Sequence, residues 1–161
     1  MAKHKYSREV KLIGICVIVF EVLTVFTWGA AFYSNVGTLA STAINTVNPS
    51  GQSVALVNTS AGATLSVPVK GAGFFPVTIT ATADFLNSRN QTVAQTQDSV
   101  TVSPGETMNL TMVVPSSVGR SNSAIKAYNI SINIDVSSVY GLVGITAQVV
   151  IEPSKIGGNS T

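Results

Sequence analysis

The chain has 161 residues, of which 45% are hydrophobic and only 10% are charged, and its formal net charge is +2. Its only histidine, His4, and its only cysteine, Cys16, both lie near the N-terminus. The rest of the chain therefore cannot form an intrachain disulfide, a transition-metal site of the usual type or a Ser/His/Asp triad. The bases and acids beyond residue 33 balance, so no nucleic-acid-binding surface is expected. We expect no enzyme, metal or cofactor.

The first two segments predict a membrane anchor. Residues 1–11 carry four basic residues and one acidic residue, which the positive-inside rule assigns to a cytoplasmic tail. Residues 12–33 are apolar, and about 20 helical residues span the roughly 30 Å hydrocarbon core of a bilayer. A cleaved signal peptide is the alternative, but its apolar region is usually about 7–15 residues long. The interpretation is a single-pass cell-membrane protein with a cytoplasmic N-terminus.

Glu21 is the only charged residue within the predicted span. An ionisable side chain is costly in a membrane and marks a functional site by default. Thr24 and Trp28 share its helix face, and we expect the three to contact a partner helix or subunit. The alternative is a protonated Glu21 that bonds to a backbone carbonyl or to Thr24 in its own helix. Trp28, Phe32 and Tyr33 also resemble an interfacial aromatic belt.

The helix is predicted to continue beyond the membrane, in a helical extension and linker that occupy residues 34–50. Six apolar residues recur there at helical spacing and form one face. They are Val36, Leu39, Ala40, Ala43, Ile44 and Val47. We expect this stripe to make contacts outside the membrane, although threonines between these positions disfavour a helix. Asn48-Pro49-Ser50-Gly51 predicts its end.

Residues 51–153 read as an all-β domain, followed by a flexible tail at 154–161. Short runs of valine, isoleucine and threonine alternate with Gly, Pro and Asn turns. The alternation is typical of antiparallel strands with one buried face, and about seven strands suggest an immunoglobulin-like sandwich. The predicted strands are 53–57, 63–69, 76–86, 92–102, 107–114, 124–136 and 141–152.

Five N-x-[S/T] sequons lie downstream of the apolar segment and none lies upstream. Two of the asparagines fall on predicted solvent faces and one in a predicted turn. This placement predicts a glycosylated, extracellular C-terminal domain. The acceptors are Asn58, Asn90, Asn109, Asn129 and Asn159.

Two glycine-containing segments of this domain predict turns. Gly71-Ala72-Gly73 resembles a phosphate-binding loop only superficially, since no helix is expected to follow, and a turn or bulge is the natural interpretation. The adjacent Phe74-Phe75 pair is expected mainly in the core, with an exposed contact as the alternative. Ser103-Pro104-Gly105-Glu106 fits a type II turn.

The order of these motifs resembles a known family. Thr64-Leu65-Ser66-Val67-Pro68-Val69, then Gly73-Phe74-Phe75-Pro76-Val77-Thr78-Ile79, then Val100-Thr101-Val102-Ser103-Pro104-Gly105-Glu106 is similar to the water-stress-and-hypersensitive-response type of late-embryogenesis-abundant domain. That family's Asn-Pro turn is replaced here by Gly71-Ala72-Gly73. The resemblance implies an immunoglobulin-like, non-enzymatic scaffold or binding domain.

The layout of one helix and one small sandwich is also similar to archaeal archaellum stator proteins and type IV pilins. We therefore expect an accessory subunit of a membrane or surface assembly. The alternative is a subunit of a surface filament, although Lys11-Leu12-Ile13-Gly14 is not the cleavage site typical of a prepilin. The expected partners are membrane lipid and other membrane or surface-layer subunits, among which copies of the chain itself are an alternative, and not nucleic acid.

Overall fold

A computed structural model describes residues 8–47, 55–59, 62–119, 125 and 128–151. It contains one long helix, α1 (Arg8–Val47), followed by two antiparallel sheets. The 40 residues of α1 are about 60 Å long at about 1.5 Å per residue. The predictions of one long N-terminal helix and of a mostly β remainder are confirmed. The predicted linker at 48–50 and the tail at 154–161 lie outside the described residues.

The strands divide between two sheets in which every neighbouring pair is antiparallel. One sheet has the order β1-β2-β5 and the other β4-β3-β6-β7. The strands are β1 (Ala55–Thr59), β2 (Gly62–Lys70), β3 (Val77–Leu86), β4 (Thr92–Val102), β5 (Thr107–Val113), β6 (Asn129–Ser138) and β7 (Val143–Ile151).

The core is built from alternate residues of the strands, as the sequence pattern predicts. In β3 every second side chain is buried, from Val77 through Phe85. Phe85 and Leu65, from different sheets, are both fully buried in one hydrophobic cluster. This alternation arises because successive strand residues point to opposite faces. The pattern fails at Met108, at the start of β5, which is 39% exposed.

The segment before β6 departs from prediction. A strand was expected from residue 124, but β6 begins at Asn129. Ile125 is helical, and the Tyr128 N–H donates to the Ile125 carbonyl in a turn with an N···O distance of 3.0 Å. Ile125 is nevertheless fully buried in the core. Its apolar side chain therefore fits the core without the strand backbone that its composition suggested.

Two of the turns at the end of the sandwich nearest the exposed part of α1 have left-handed residues. In the predicted type II turn, Gly105 has φ +81° and the Glu106 N–H donates to the Ser103 carbonyl at 3.0 Å, so that prediction is confirmed. The β6–β7 turn, residues 139–142, has three successive left-handed residues, with φ 52° at Val139, 56° at Tyr140 and 82° at Gly141.

Candidate functional site

The helix α1 has two parts with different surroundings. From residue 10 to residue 29 no side chain is buried, and from Ala30 to Thr42 one side of the helix is covered by the sandwich. The exposed part is about 30 Å long, which matches the hydrocarbon thickness of a bilayer. Residues Val10–Thr42 are long and apolar enough to cross a membrane, as a membrane anchor or a signal sequence does.

The face of α1 that packs on the sandwich is made of small and polar side chains. Each of them lies three or four positions from another member of the set, so they share one side of the helix. Small side chains let the helix backbone approach the sandwich closely. The buried members of this docking face are Ala30, Ala31, Ser34, Asn35, Thr38 and Thr42.

Ser34 forms the central link between the helix and the loop at residues 71–76. Its Oγ accepts hydrogen bonds from the backbone N–H groups of Phe74, at 2.9 Å, and Phe75, at 3.2 Å. The same hydroxyl donates to the Ala30 carbonyl at 2.9 Å. The side chain is fully buried, so its single hydroxyl satisfies two loop donors that no other described group satisfies.

The loop continues to follow the helix away from Ser34. The Ala72 N–H donates to Thr38 Oγ1 at 3.0 Å, and Ser41 Oγ donates to the Lys70 carbonyl at 2.9 Å. A Cβ atom added at Gly37 would lie 3.0 Å from the Ala72 Cβ, so helix and loop are nearly in backbone contact. The segment from Lys70 to Phe74 thus contacts α1 over about two helical turns, from Ser41 back to Ser34.

The two glycines of this loop are required by its close approaches. A Cβ at Gly73 would lie 2.3 Å from Ser34 Oγ, and Gly73 has φ +80°. A Cβ at Gly71 would lie 2.1 Å from the Ser103 carbonyl oxygen. The predicted turn at residues 71–73 therefore has a second role, because it packs the loop against α1. That role was missed from the sequence.

The turn at residues 139–142 is joined to the same part of α1. Asn35 Nδ2 donates to the Val143 carbonyl at 2.9 Å, and Ser138 Oγ donates to the Ala31 carbonyl at 3.4 Å. Asn35 Oδ1 is buried and has no hydrogen-bond partner among the described residues. Asn35 thus satisfies only one of its two polar atoms, whereas Ser34 uses its hydroxyl as both donor and acceptor.

The predicted intramembrane contact residues all lie on the exposed part of α1. Glu21 is exposed, and its carboxylate has no hydrogen-bond or ion-pair partner in the part of the chain that the structure describes. Thr24 Oγ1 donates to the Phe20 carbonyl at 2.8 Å rather than bonding to Glu21. Trp28 is 53% exposed on the same face. The structure therefore leaves this face open, and its contact with a partner stays a prediction.

The predicted extension stripe is divided. Leu39 is half-buried and packs against the sandwich core, whereas Val36 and Ala40 are exposed. The side chains of Ala43, Ile44 and Val47 lie outside the described residues. The stripe is therefore not the face that docks the helix, and its role in contacts with a partner stays a prediction.

The sequon asparagines occupy different environments. Asn109 is exposed on β5, and Asn90 is exposed in the β3–β4 turn with φ 57°. Asn129 is half-buried at the start of β6. Asn58 lies in β1 with its side chain outside the described residues, and Asn159 lies outside them altogether. Their glycosylation stays a prediction.

The carboxylates of the sandwich have structural partners. Asp84 accepts from Gln95 Nε2 at 2.9 Å, and Asp135 accepts from Thr146 Oγ1 at 2.6 Å. Asp98, on the edge strand β4, accepts the backbone N–H of Thr111 at 2.7 Å, and so satisfies a donor of the facing edge strand β5. Among the described residues, no three His, Cys, Asp or Glu side chains are grouped as a metal site requires.

The sequence matches no protein-family model, and it matches no curated protein. The features that indicate a function are therefore the junction between α1 and the sandwich and the exposed part of the helix.

Proposed function

We propose that this chain is a membrane-anchored, extracytoplasmic interaction protein, and that it serves as an accessory subunit of a membrane or surface assembly. Its helix α1 crosses the membrane with the N-terminus in the cytoplasm and associates with a partner helix through the face of Glu21. Its immunoglobulin-like sandwich lies outside the cell, carries glycans and acts through shape rather than catalysis.

The unpaired Glu21 carboxylate carries this proposal. It lies in an apolar, fully exposed stretch of helix, where an isolated ionisable group costs about 2.5 kcal/mol or more. Thr24 Oγ1 donates to the Phe20 carbonyl and makes no hydrogen bond to Glu21 in the structure. A polar group of a second membrane helix would remove this cost, which makes the Glu21 face a favourable contact for another subunit.

The proposal is tested by co-purification of the native protein from membranes in mild detergent. We expect a stoichiometric partner with the unmodified chain and with Glu21→Gln, which keeps a hydrogen-bonding group, and its loss with Glu21→Leu. A matched control is Val22→Leu, since Val22 is 61% exposed on a neighbouring face. Retention of the partner in Glu21→Leu would contradict the proposed contact.

A second candidate is a subunit of a surface filament. The observation that favours it is that only the C-terminal part of α1 packs on the sandwich, whereas residues 10–29 project freely and could pack against copies of the chain. Mass spectrometry of the native N-terminus separates the two. A chain that begins inside the apolar segment and co-purifies only with itself supports the filament, and an intact segment with a different partner supports the accessory subunit.

A further inference from the structure

The end of the sandwich nearest the exposed part of α1 carries an unusual surface. Two loops flank the helix there, residues 71–76 and residues 139–142, and we call them the tip loops. Three of their side chains are highly exposed and apolar or aromatic. They are Phe74 at 70%, Tyr140 at 105% and Leu142 at 67%. Phe74 and Tyr140 are the exposed aromatic residues of the described sandwich.

The helix gives the height of these loops relative to a bilayer. If residues 10–29 fill the hydrocarbon core, its outer boundary lies near Ala30. Phe74 is bonded to Ser34, only about 6 Å above that boundary at about 1.5 Å per residue. Ser138 is bonded to Ala31, at the boundary itself. The turn that carries Tyr140 joins Ser138 to Val143, whose carbonyl accepts a hydrogen bond from Asn35, so both ends of this turn are held near the boundary.

The helix also presents aromatic side chains at this height. Trp28, Phe32 and Tyr33 are all more than half exposed. The rings of Tyr33 and Phe74 lie 6.0 Å apart, which joins the helix aromatics to the first tip loop. Trp and Tyr side chains are enriched where a protein crosses the membrane–water interface, because one end is apolar and the other polar.

The charge and backbone geometry of the tip loops also favour contact with lipid. Both tip loops are uncharged, and so are all the residues that line the cavity of about 570 Å³ beside them, including Phe75, Pro76 and Val139. The three left-handed residues of the second loop project Tyr140 fully outward, although a β-branched residue such as Val139 rarely adopts a positive φ. A charged solute finds no counter-charge on this surface, whereas lipid finds apolar contacts.

We propose that the tip loops insert into the headgroup region of the membrane that α1 crosses, and so hold the sandwich on the bilayer surface. This inference rests on the proposed membrane anchoring of α1. The third turn at this end, at residues 103–106, carries Glu106 and pairs with Gly71, higher along the helix than Phe74. The lipid contact is therefore confined to the two loops that flank the helix.

The test uses the full chain reconstituted into vesicles of palmitoyl-oleoyl phosphatidylcholine with and without brominated acyl chains, which quench tryptophan. Trp28 is the only tryptophan, so it reports helix insertion in the unmodified protein. Tyr140→Trp and Phe74→Trp, each in a Trp28→Phe background, report on the two tip loops. The matched control is Ser88→Trp in the same background. Ser88 is exposed at the far end of β3, about 30 Å from the tip.

We expect brominated lipid to reduce the emission of both tip-loop reporters about twofold and to leave Ser88→Trp unchanged. The Phe74→Trp reporter decides the question should the Tyr140 variant fail to fold. If Trp28 is quenched while both tip-loop reporters behave like Ser88→Trp, the lipid contact is overturned and the membrane anchor stands. If Trp28 is itself not quenched, the anchoring fails, and the lipid contact fails with it.

Discussion

Replacing Ser34 by alanine tests whether one hydroxyl holds the helix on the sandwich. The substitution removes the acceptor of two backbone N–H groups, those of Phe74 and Phe75, and leaves the packing almost unchanged because alanine is smaller by a single oxygen atom. Ser34 is fully buried, so water does not readily replace the lost oxygen. The effect therefore measures the hydrogen bonds rather than a cavity.

The magnitude follows from the cost of unsatisfied donors. Each buried donor left without a partner costs about 1–3 kcal/mol. The Phe75 bond is the longer of the two, at 3.2 Å, and the loop is only partly buried, so the second loss is the smaller. We expect Ser34→Ala to lower the free energy of unfolding of the sandwich by about 2–4 kcal/mol. For a domain of this size that corresponds to a melting temperature lower by about 10 °C or more.

The measurement is thermal and urea unfolding of the full chain in detergent micelles, with hydrogen exchange at the Phe74 and Phe75 amides. The matched control is Ser41→Ala on the same helix. Ser41 only donates, and its single hydroxyl hydrogen is shared between the Thr38 and Lys70 carbonyls, so its loss should cost less than about 1 kcal/mol. Equal stabilities of the two variants, with unchanged exchange at the Phe74 amide, would refute the reasoning.

Two further predictions concern the packing of the loop and of the core. Gly73→Ala should lower the free energy of unfolding by more than about 2 kcal/mol, because residue 73 has a left-handed backbone and the added methyl group would clash with Ser34. The matched control is Gly105→Ala. Gly105 has a similar φ but no atom within 4 Å of an added Cβ, so this substitution should cost about 1 kcal/mol. Equal urea midpoints for this pair would contradict the packing role. Phe85→Ala should cost about 3–5 kcal/mol in urea unfolding, because the ring is fully buried, and a loss below about 1 kcal/mol would place Phe85 outside the core.

The sheets could be predicted from the sequence because their residues alternate between a solvent-exposed face and a buried face. From Val77 to Phe85 every second residue is apolar, and the structure buries each of them. The helix could be predicted for a similar reason, since its apolar run is too long for a strand. Both predictions depend on burial of apolar surface, which leaves a periodic trace in the sequence.

The docking face could not be predicted in this way because it is not apolar. Ser34, Thr38 and Thr42 recur at intervals of four, yet threonines were counted against a helix by intrinsic propensity. In the structure Thr38 Oγ1 accepts a hydrogen bond from the Ala72 N–H, and Thr42 Oγ1 donates to the Thr38 carbonyl at 2.8 Å. The hydropathy pattern of the sequence does not indicate either of these hydrogen bonds. The sequence signal for this face is the spacing of its small residues. That spacing indicates a docking face only once the glycine-containing loop at residues 71–76 is known to lie against it.

The aromatic pair shows a related limit. Phe74 and Phe75 were expected mainly in the core, and for Phe74, which is 70% exposed, that prediction is wrong. Apolar character alone does not separate a residue that faces the core from one that faces a second apolar environment such as lipid. The distinction requires the position of Phe74 relative to α1, and that position is set by Ser34 and Gly73 rather than by the aromatic residues themselves.

The docking of one helix face determines which other face remains available. Val36 and Ala40 each follow a docking residue, Ser34 and Thr38, by two positions, which is about 200° around a helix. They therefore lie nearly opposite the sandwich, and both are exposed. A second helix can pack there without displacing the sandwich. Glu21 lies about 60° around the helix from Val36, so a partner helix that crosses α1 at an angle can also contact the face of Glu21. Because α1 is unbroken between these positions, a partner bound inside the membrane would also fix the orientation of the sandwich outside it.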